Sequence, residues 1–155
     1  SKVFVLEMAE ARKEFAKKLH ATAVIDPSET DPVAEVKRLT GGMGVDVAIE
    51  CVGGHKTAPL AVKLTRPGGK TVIVGIFEEP SELHFNDLVF FERDVVGSLA
   101  YYGEFDTAIA LLADGRLIAE PLITGKIKLD DIVEKGFEEL VKHKESNIKI
   151  LVEPT

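Results

Sequence analysis

The chain predicts an α/β fold built on a doubly wound parallel sheet, and three features of its 155 residues carry that expectation. Short apolar runs without polar alternation recur, as in VFVL at 3–6 and TVIV at 71–74. Strands covered on both faces read this way. Segments with apolar residues at helical spacing alternate with those runs, the rhythm of parallel strands joined by helices. Gly and Pro clusters mark the joins.

The elements follow in order. Val3, Phe4, Val5 and Leu6 form the first strand, and Met8, Ala11, Phe15 and Leu19 the apolar stripe of a helix whose other faces carry Arg12, Lys13, Lys17 and Lys18. Residues 21–25 predict a strand closed by the turn Asp26-Pro27-Ser28. Asp31 before Pro32 is a helix start, an N-cap followed by a residue whose missing donor costs nothing there; Val33, Val36 and Leu39 face inward and Gly41 and Gly42 stop it. A strand at 45–51 leads through Val52-Gly53-Gly54 into a helix at 57–64. Arg66-Pro67-Gly68-Gly69 reads as a turn before a strand at 70–76, with Gly75 at its carboxyl end. The irregular stretch 77–91, with one short helix at 86–91, is long enough to border a pocket. A strand at 95–99, a helix from Phe105 with Ile109 and Leu112 inward and Gly115 as its stop, and a strand at 122–127 come next. Asp130 is expected to cap the last helix, with Val133, Phe137, Leu140 and Val141 on its apolar face, before a final strand at 148–152.

Composition bounds the function. Hydrophobic residues make up 45% and charged residues 29%, the balance of a soluble globular protein, while a net charge of -7 disfavours nucleic acid and anionic membrane as partners. No apolar run reaches the roughly 20 residues of a membrane-spanning helix, and no basic-then-apolar leader opens the chain, so a cytoplasmic protein is expected. Cys51 is the single cysteine, and His20, His55, His84 and His143 form no close ligand pair, so no metal site is expected from this chain alone.

Glu7 ends the first strand. A carboxylate at the carboxyl end of a parallel strand lies where open α/β sheets bind ligands, and it can accept hydrogen bonds from both hydroxyls of a ribose. It equally suits an acid that starts a helix at the positive end of the macrodipole. On the first reading, strand and helix are the second pair of a dinucleotide-binding unit, arriving without the first.

Several segments spread over nearly the whole chain then resemble one family. They are VFVLE, GMGVDVAIECVGG, RPGGKTVIVGI, NDLVFFERDVVGSLAYYGEFDTAIALLADGRL and DIVEKGFEELVKHKESNIKILVEP. Their order and spacing are similar to the last two-fifths of the medium-chain, zinc-dependent alcohol dehydrogenases, and among these to the 2,3-butanediol dehydrogenase-like branch. The resemblance implies a Rossmann-like doubly wound sheet lacking its first strand and glycine-rich loop, with a C-terminal α+β extension. Residues 1–100 would be a truncated NAD-binding domain and 101–155 the C-terminal part of the catalytic domain.

Residue by residue, Glu7 matches the acid that holds the adenosine ribose and Arg12 the basic residue beside it. An acid there favours NAD, because it repels the extra phosphate of NADP. Cys51, Val52 and Gly53 match the turn under the cofactor, and Gly75, Ile76, Ser98, Leu99 and Ala100 match strand ends whose backbone meets the nicotinamide carboxamide. Lys149 matches a basic residue near the pyrophosphate, and it also fits a solvated lysine on an edge strand. His20 stands where the family usually has glycine, so the first helix must stop without an easy left-handed residue.

By the same resemblance, the family's glycine-rich phosphate loop, zinc ligands and proton relay fall outside the chain. The parent activity would be hydride transfer between a secondary alcohol and NAD with zinc holding the alcohol oxygen. The isolated chain is expected to bind NAD weakly or not at all, to lack turnover, and to self-associate or rearrange as a homo-oligomer around a missing central strand. Two alternatives stay open, a non-catalytic nucleotide-binding module and an S-adenosylmethionine-dependent methyltransferase, which also places an acid after its second strand.

Overall fold

The computed structural model describes residues 1–154 and shows an α/β chain whose strand pairs are all parallel. It divides into two compact units, Ser1–Ser28 with the chain from Tyr102 onward, and Glu29–Tyr101. Among the described residues no helix is long and apolar enough to cross a membrane.

In the first unit, β1 (Phe4–Leu6) runs into α1 (Glu10–Lys18) and then β2 (Ala23–Ile25), with Phe4, Val5 and Leu6 paired to Ala23, Val24 and Ile25. Strand β1 is half-buried rather than covered on both faces. Met8, expected inside the helix, precedes it and is exposed. The cause is local: the Glu7 side chain binds the Met8 and Ala9 amides and delays the first helical turn. At its other end α1 closes as the sequence requires but without a glycine, because His20 itself takes φ +62°. Its amide donates to the Lys17 carbonyl at 3.0 Å, and that of Ala21 to Ala16 at 3.0 Å, so the last carbonyls are satisfied.

Later in this unit, α5 (Glu104–Ala113) is followed by Gly115 at φ +76°, the expected stop. Its expected inward face is not inward: Phe105, Ile109 and Leu112 are all exposed. Strands β6 (Ile123–Lys128) and β7 (Lys149–Glu153) form a two-stranded ladder. Between them the chain passes through a 3-10 turn (Leu129–Asp131), a π-helical segment (Ile132–Phe137) and α6 (Glu138–Lys142). Asp130 therefore caps no α-helix; the wide segment starts after Asp131, whose carboxylate pairs instead with Lys135 at 3.1 Å. Gly136 is buried against β6, where a Cβ would stand 3.2 Å from Ile127 Cδ1. Val133, Phe137 and Val141 remain exposed, because a two-stranded ladder offers only a narrow strip to cover them.

In the second unit, α2 (Pro32–Leu39) starts as its sequence demands, with Asp31 Oδ1 accepting from the Val33 amide at 2.9 Å and Pro32 in first position. Such a cap contributes about 1 kcal/mol. Gly41 and Gly42 end it at φ +66° and +91°. The sheet follows in the order β3 (Val45–Glu50), β4 (Thr65–Ile73), β5 (Asp94–Gly97), with α3 (Thr57–Leu64) between the first two strands and α4 (Asn86–Val89) before the third.

The expected turn at 66–69 is instead an irregularity within β4: Val45 pairs with Thr65, and the next partner, Val47, pairs with Lys70. It is tied at both ends, the Gly68 amide donating to the Phe91 carbonyl at 2.8 Å and the Arg93 side chain to the Thr65 carbonyl at 2.6 Å, while Gly68 itself turns at φ +66°. One face of the sheet packs on α3, so that Ala48, Glu50, Thr71, Ala61, Val62 and Leu64 are buried, and α2 adds Val36. The row Ile49, Val72, Val96 lies on the other face, and Ile49 is 63% exposed there. Among the described residues, strand β1 pairs only with β2, β3 only with β4 and β7 only with β6.

Candidate functional site

The residues singled out by sequence fall into two groups, one in each unit. In the first, Glu7 sits just past β1, its amide donating to the Ile25 carbonyl at 3.1 Å, so its side chain leaves the carboxyl end of the β1–β2 ladder. Oε1 accepts from the Met8 and Ala9 amides, both at 2.8 Å, and from Arg12 Nη2 at 3.0 Å; Oε2 accepts from Arg12 Nε at 2.8 Å. Burial pushes the Glu7 carboxyl up, but the Arg12 guanidinium and the two amides outweigh it and hold the group below the usual carboxylate value.

Glu7 thus stands at the strand end, ahead of the Ala9 cap of α1, and the acid inside the first helical turn is Glu10 instead. Oε2 keeps one acceptor position beyond Arg12. Arg12 is fixed in turn, its Nη1 donating to the Lys144 carbonyl at 2.8 Å, so one guanidinium ties the acid after β1 to the loop before β7. Lys149 lies on β7, exposed and without an ion-pair partner among the described residues. Beside this group, Lys13 bridges Glu10 at 2.8 Å and Asp26 at 2.9 Å.

The second group is the turn after β3 and the ends of β4 and β5. Val52, Gly53 and Ile76 line a cleft of about 290 Å³ together with Gly54, His55, Glu78 and Glu79. The stretch 77–91 thus borders a pocket, as its length suggests. Backbone contact here is very close: Gly53 has φ +76°, and a Cβ on it would overlap the Ile76 carbonyl oxygen. A Cβ on Gly75 would stand 2.5 Å from Glu50 Oε2 and overlap the Gly53 amide. Only glycine fits either place. The amides of Val74 and Gly75 donate to the Glu50 carbonyl at 2.8 and 3.0 Å, which extends the β3–β4 ladder to the rim.

The Ser98 amide donates to the Ile73 carbonyl at 2.9 Å; Leu99 is exposed, and Ala100 takes the left-handed φ of +53°. None of these three lines the cleft. Cys51 is exposed and likewise outside its lining, with burial and the neighbouring Glu50 carboxylate both pushing its thiol up.

Sequence reasoning missed Glu50, Thr57 and the cleft residues His55, Glu78 and Glu79. The signal for Glu50 was available: VDVAIE ends on a carboxylate just as VFVLE does. Glu50 is 3% exposed. Its Oε1 accepts from the Val52 and Gly53 amides, both at 2.9 Å, and from the Thr57 hydroxyl at 2.7 Å.

The geometry of the second group suits a flat polar ring set against backbone: glycines for close approach and a polar cleft. The described residues include no group of three or more His, Cys, Asp or Glu side chains that could hold a metal ion, so zinc does not fit the side chains present.

Comparison with known proteins gives the ancestry. Residues 1–114 match the family model for zinc-binding dehydrogenases. The chain is 42% identical over 154 residues to the (R,R)-butanediol dehydrogenase of Neisseria gonorrhoeae, covering 99% of this chain and 44% of that protein. It superposes on the crystal structure of 2R,3R-butanediol dehydrogenase from Bacillus subtilis with a TM-score of 0.91 at 41% identity, over 99% of this chain and 44% of that one. A zinc-binding dehydrogenase from Sinorhizobium meliloti 1021, described as putative and solved bound to NADP, gives 0.83 at 28% identity over 99% of this chain and 45% of that one. The chain thus spans less than half the length of these relatives. It belongs to the zinc-binding dehydrogenase family, corresponding to the C-terminal portion of its butanediol dehydrogenase-like members.

Proposed function

We propose that this chain is the cofactor-contacting portion of an NAD-dependent, zinc-dependent dehydrogenase that moves hydride between a secondary alcohol or diol and NAD. The observation that carries the reading is the Val52-Gly53-Gly54 turn held against Gly75 and Ile76, a glycine-lined polar cleft at the carboxyl end of parallel strands. Backbone groups of Val52, Ile76, Ser98, Leu99 and Ala100 would receive the carboxamide, with Cys51 in the turn below. A nicotinamide ring bound in this way supplies the hydride acceptor. The chain's own residues orient that ring and keep its carboxamide hydrogen-bonded.

In the first unit, taken by itself, Glu7 would accept from a ribose hydroxyl through the free position on Oε2, with Arg12 holding the carboxylate in place. The ionised acid disfavours a 2′-phosphate, which supports NAD over NADP. Lys149 would neutralise a pyrophosphate charge. On this reading residues 1–100 are the truncated NAD-binding domain, and residues 101–155 belong to the catalytic domain. Zinc ligation and proton relay are then supplied by other parts of the parent enzyme.

The isolated chain is accordingly inactive and a weak NAD binder. The exposed apolar faces around Ile49, Phe105 and Phe137 support self-association of copies. Purified chain with NAD, zinc and 2,3-butanediol should produce no NADH absorbance at any pH; turnover would refute its inactivity. A thermal-shift titration should favour NAD over S-adenosylmethionine, and the reverse order would return the methyltransferase reading. A monodisperse monomer in light scattering would contradict self-association.

A further inference from the structure

The Glu50 carboxyl is buried and has no cationic partner among the described residues, an arrangement that is costly unless hydrogen bonds compensate. All of that compensation is gathered on one oxygen. Oε1 takes the Val52 and Gly53 amides and the Thr57 hydroxyl, while Oε2 has no hydrogen-bond partner and lies beside Gly75. The Thr57 hydroxyl is itself a junction: it accepts from the Gly54 amide at 3.1 Å and gives its single proton to Glu50 or to the Gly54 carbonyl 2.8 Å away.

Every consecutive amide of the turn at 52–54 therefore ends on Glu50 or on the hydroxyl that Glu50 holds. The same residue's backbone carbonyl receives the Val74 and Gly75 amides. One residue thus locks the turn after β3 to the segment after β4, from below the cleft and outside its lining.

We propose that Glu50 is a positioning residue for the nicotinamide end of the cofactor, presetting the turn at 52–54 against Gly75 and Ile76 through its carboxylate and Thr57. The inference rests on the cofactor reading above and deepens it. Its physical content is preorganisation: amides tied down before the ligand arrives lose no freedom when it binds. A carboxylate suits the task because it only accepts, whereas a glutamine amide would put a buried donor either beside Gly75 without a partner or against three donors.

The test compares NAD with ADP-ribose, which lacks the nicotinamide, by nuclear magnetic resonance titration of the full chain and of the Glu50→Gln, Thr57→Val and Thr57→Ser variants. Wild type should bind NAD more tightly than ADP-ribose. Glu50→Gln and Thr57→Val should bring the two affinities to within about twofold of each other, and Thr57→Ser should restore the preference. Amide exchange at Val52 and Gly53 should quicken in the first two variants while Glu35 and Thr40, whose amides are bonded within α2 of the same unit, stay unchanged, which separates loosening of the turn from failure to fold. Variants that keep the wild-type preference, or that lose both ligands equally, overturn the positioning role alone. Wild type with no preference for NAD removes the cofactor reading of this turn, and the inference with it.

Discussion

Replacing His20 with glycine should stabilise the end of α1. His20 takes φ +62° to close the helix, is exposed, and makes no side-chain hydrogen bond among the described residues. The left-handed conformation costs an ordinary side chain about 1–2 kcal/mol. Glycine removes that cost but loses more chain freedom on folding, which returns about 0.4–1 kcal/mol. The net gain is about 0.5–1 kcal/mol, or roughly two- to fivefold slower exchange of the amides that depend on the closed turn. Those amides are Leu19, which donates to Phe15 at 2.9 Å, and Ala21, which donates to Ala16. Hydrogen exchange on His20→Gly and His20→Asn should rank glycine slowest, asparagine next and wild type fastest, since asparagine tolerates the conformation better than histidine. Exchange at Leu19 and Ala21 equal to or faster than wild type in His20→Gly would refute the reasoning.

Gly53→Ala should act in the opposite direction, adding a left-handed cost and an overlap with the Ile76 carbonyl for a loss of about 3 kcal/mol, whereas Gly41→Ala, at φ +66° in open space, should lose only about 1 kcal/mol. Equal midpoints for the two variants in urea denaturation would show that the close approach at the cleft is not as drawn. Arg12→Met should let the Glu7 carboxyl rise, because burial would remain while the guanidinium that lowers it is gone; a carboxyl titration midpoint at or below wild type would contradict this. Asp26 is held to about 2 by Ser28 and Lys13, against an ordinary 3.8. A depressed acid contributes stability above its unfolded value and loses it as pH falls through the folded one, so the Lys13–Asp26 contribution should fade between about pH 4 and 2. An Asp26→Asn variant that loses as much stability as wild type across that interval would place the acid sensitivity elsewhere.

What the amino-acid order determined is the local grammar: the position of most strands and helices, the Asp31-Pro32 start and the Gly41-Gly42 stop. These depend on side chains within a few residues of one another, so they were readable from the chain. Glu7 was legible from its strand end, whereas Arg12 beside it and the left-handed stop at His20 were singled out only by the resemblance to the dehydrogenases. Glu50 follows the same strand-end rule and was overlooked, because its partners matter only once Gly75 and Ile76 are known to lie against its turn.

Tertiary structure decided the rest. Helical spacing marks the faces of α5 and of the segment before α6 as apolar, but whether an apolar face is covered depends on what another part of the molecule offers, and there Phe105, Ile109 and Phe137 stay exposed. The turn foreseen at 66–69, with Gly68 at φ +66°, was absorbed into β4 as an irregularity because Phe91 and Arg93, more than twenty residues on, bind its backbone. Periodicity reports what a segment can bury, and only contacts distant in sequence settle what it does bury.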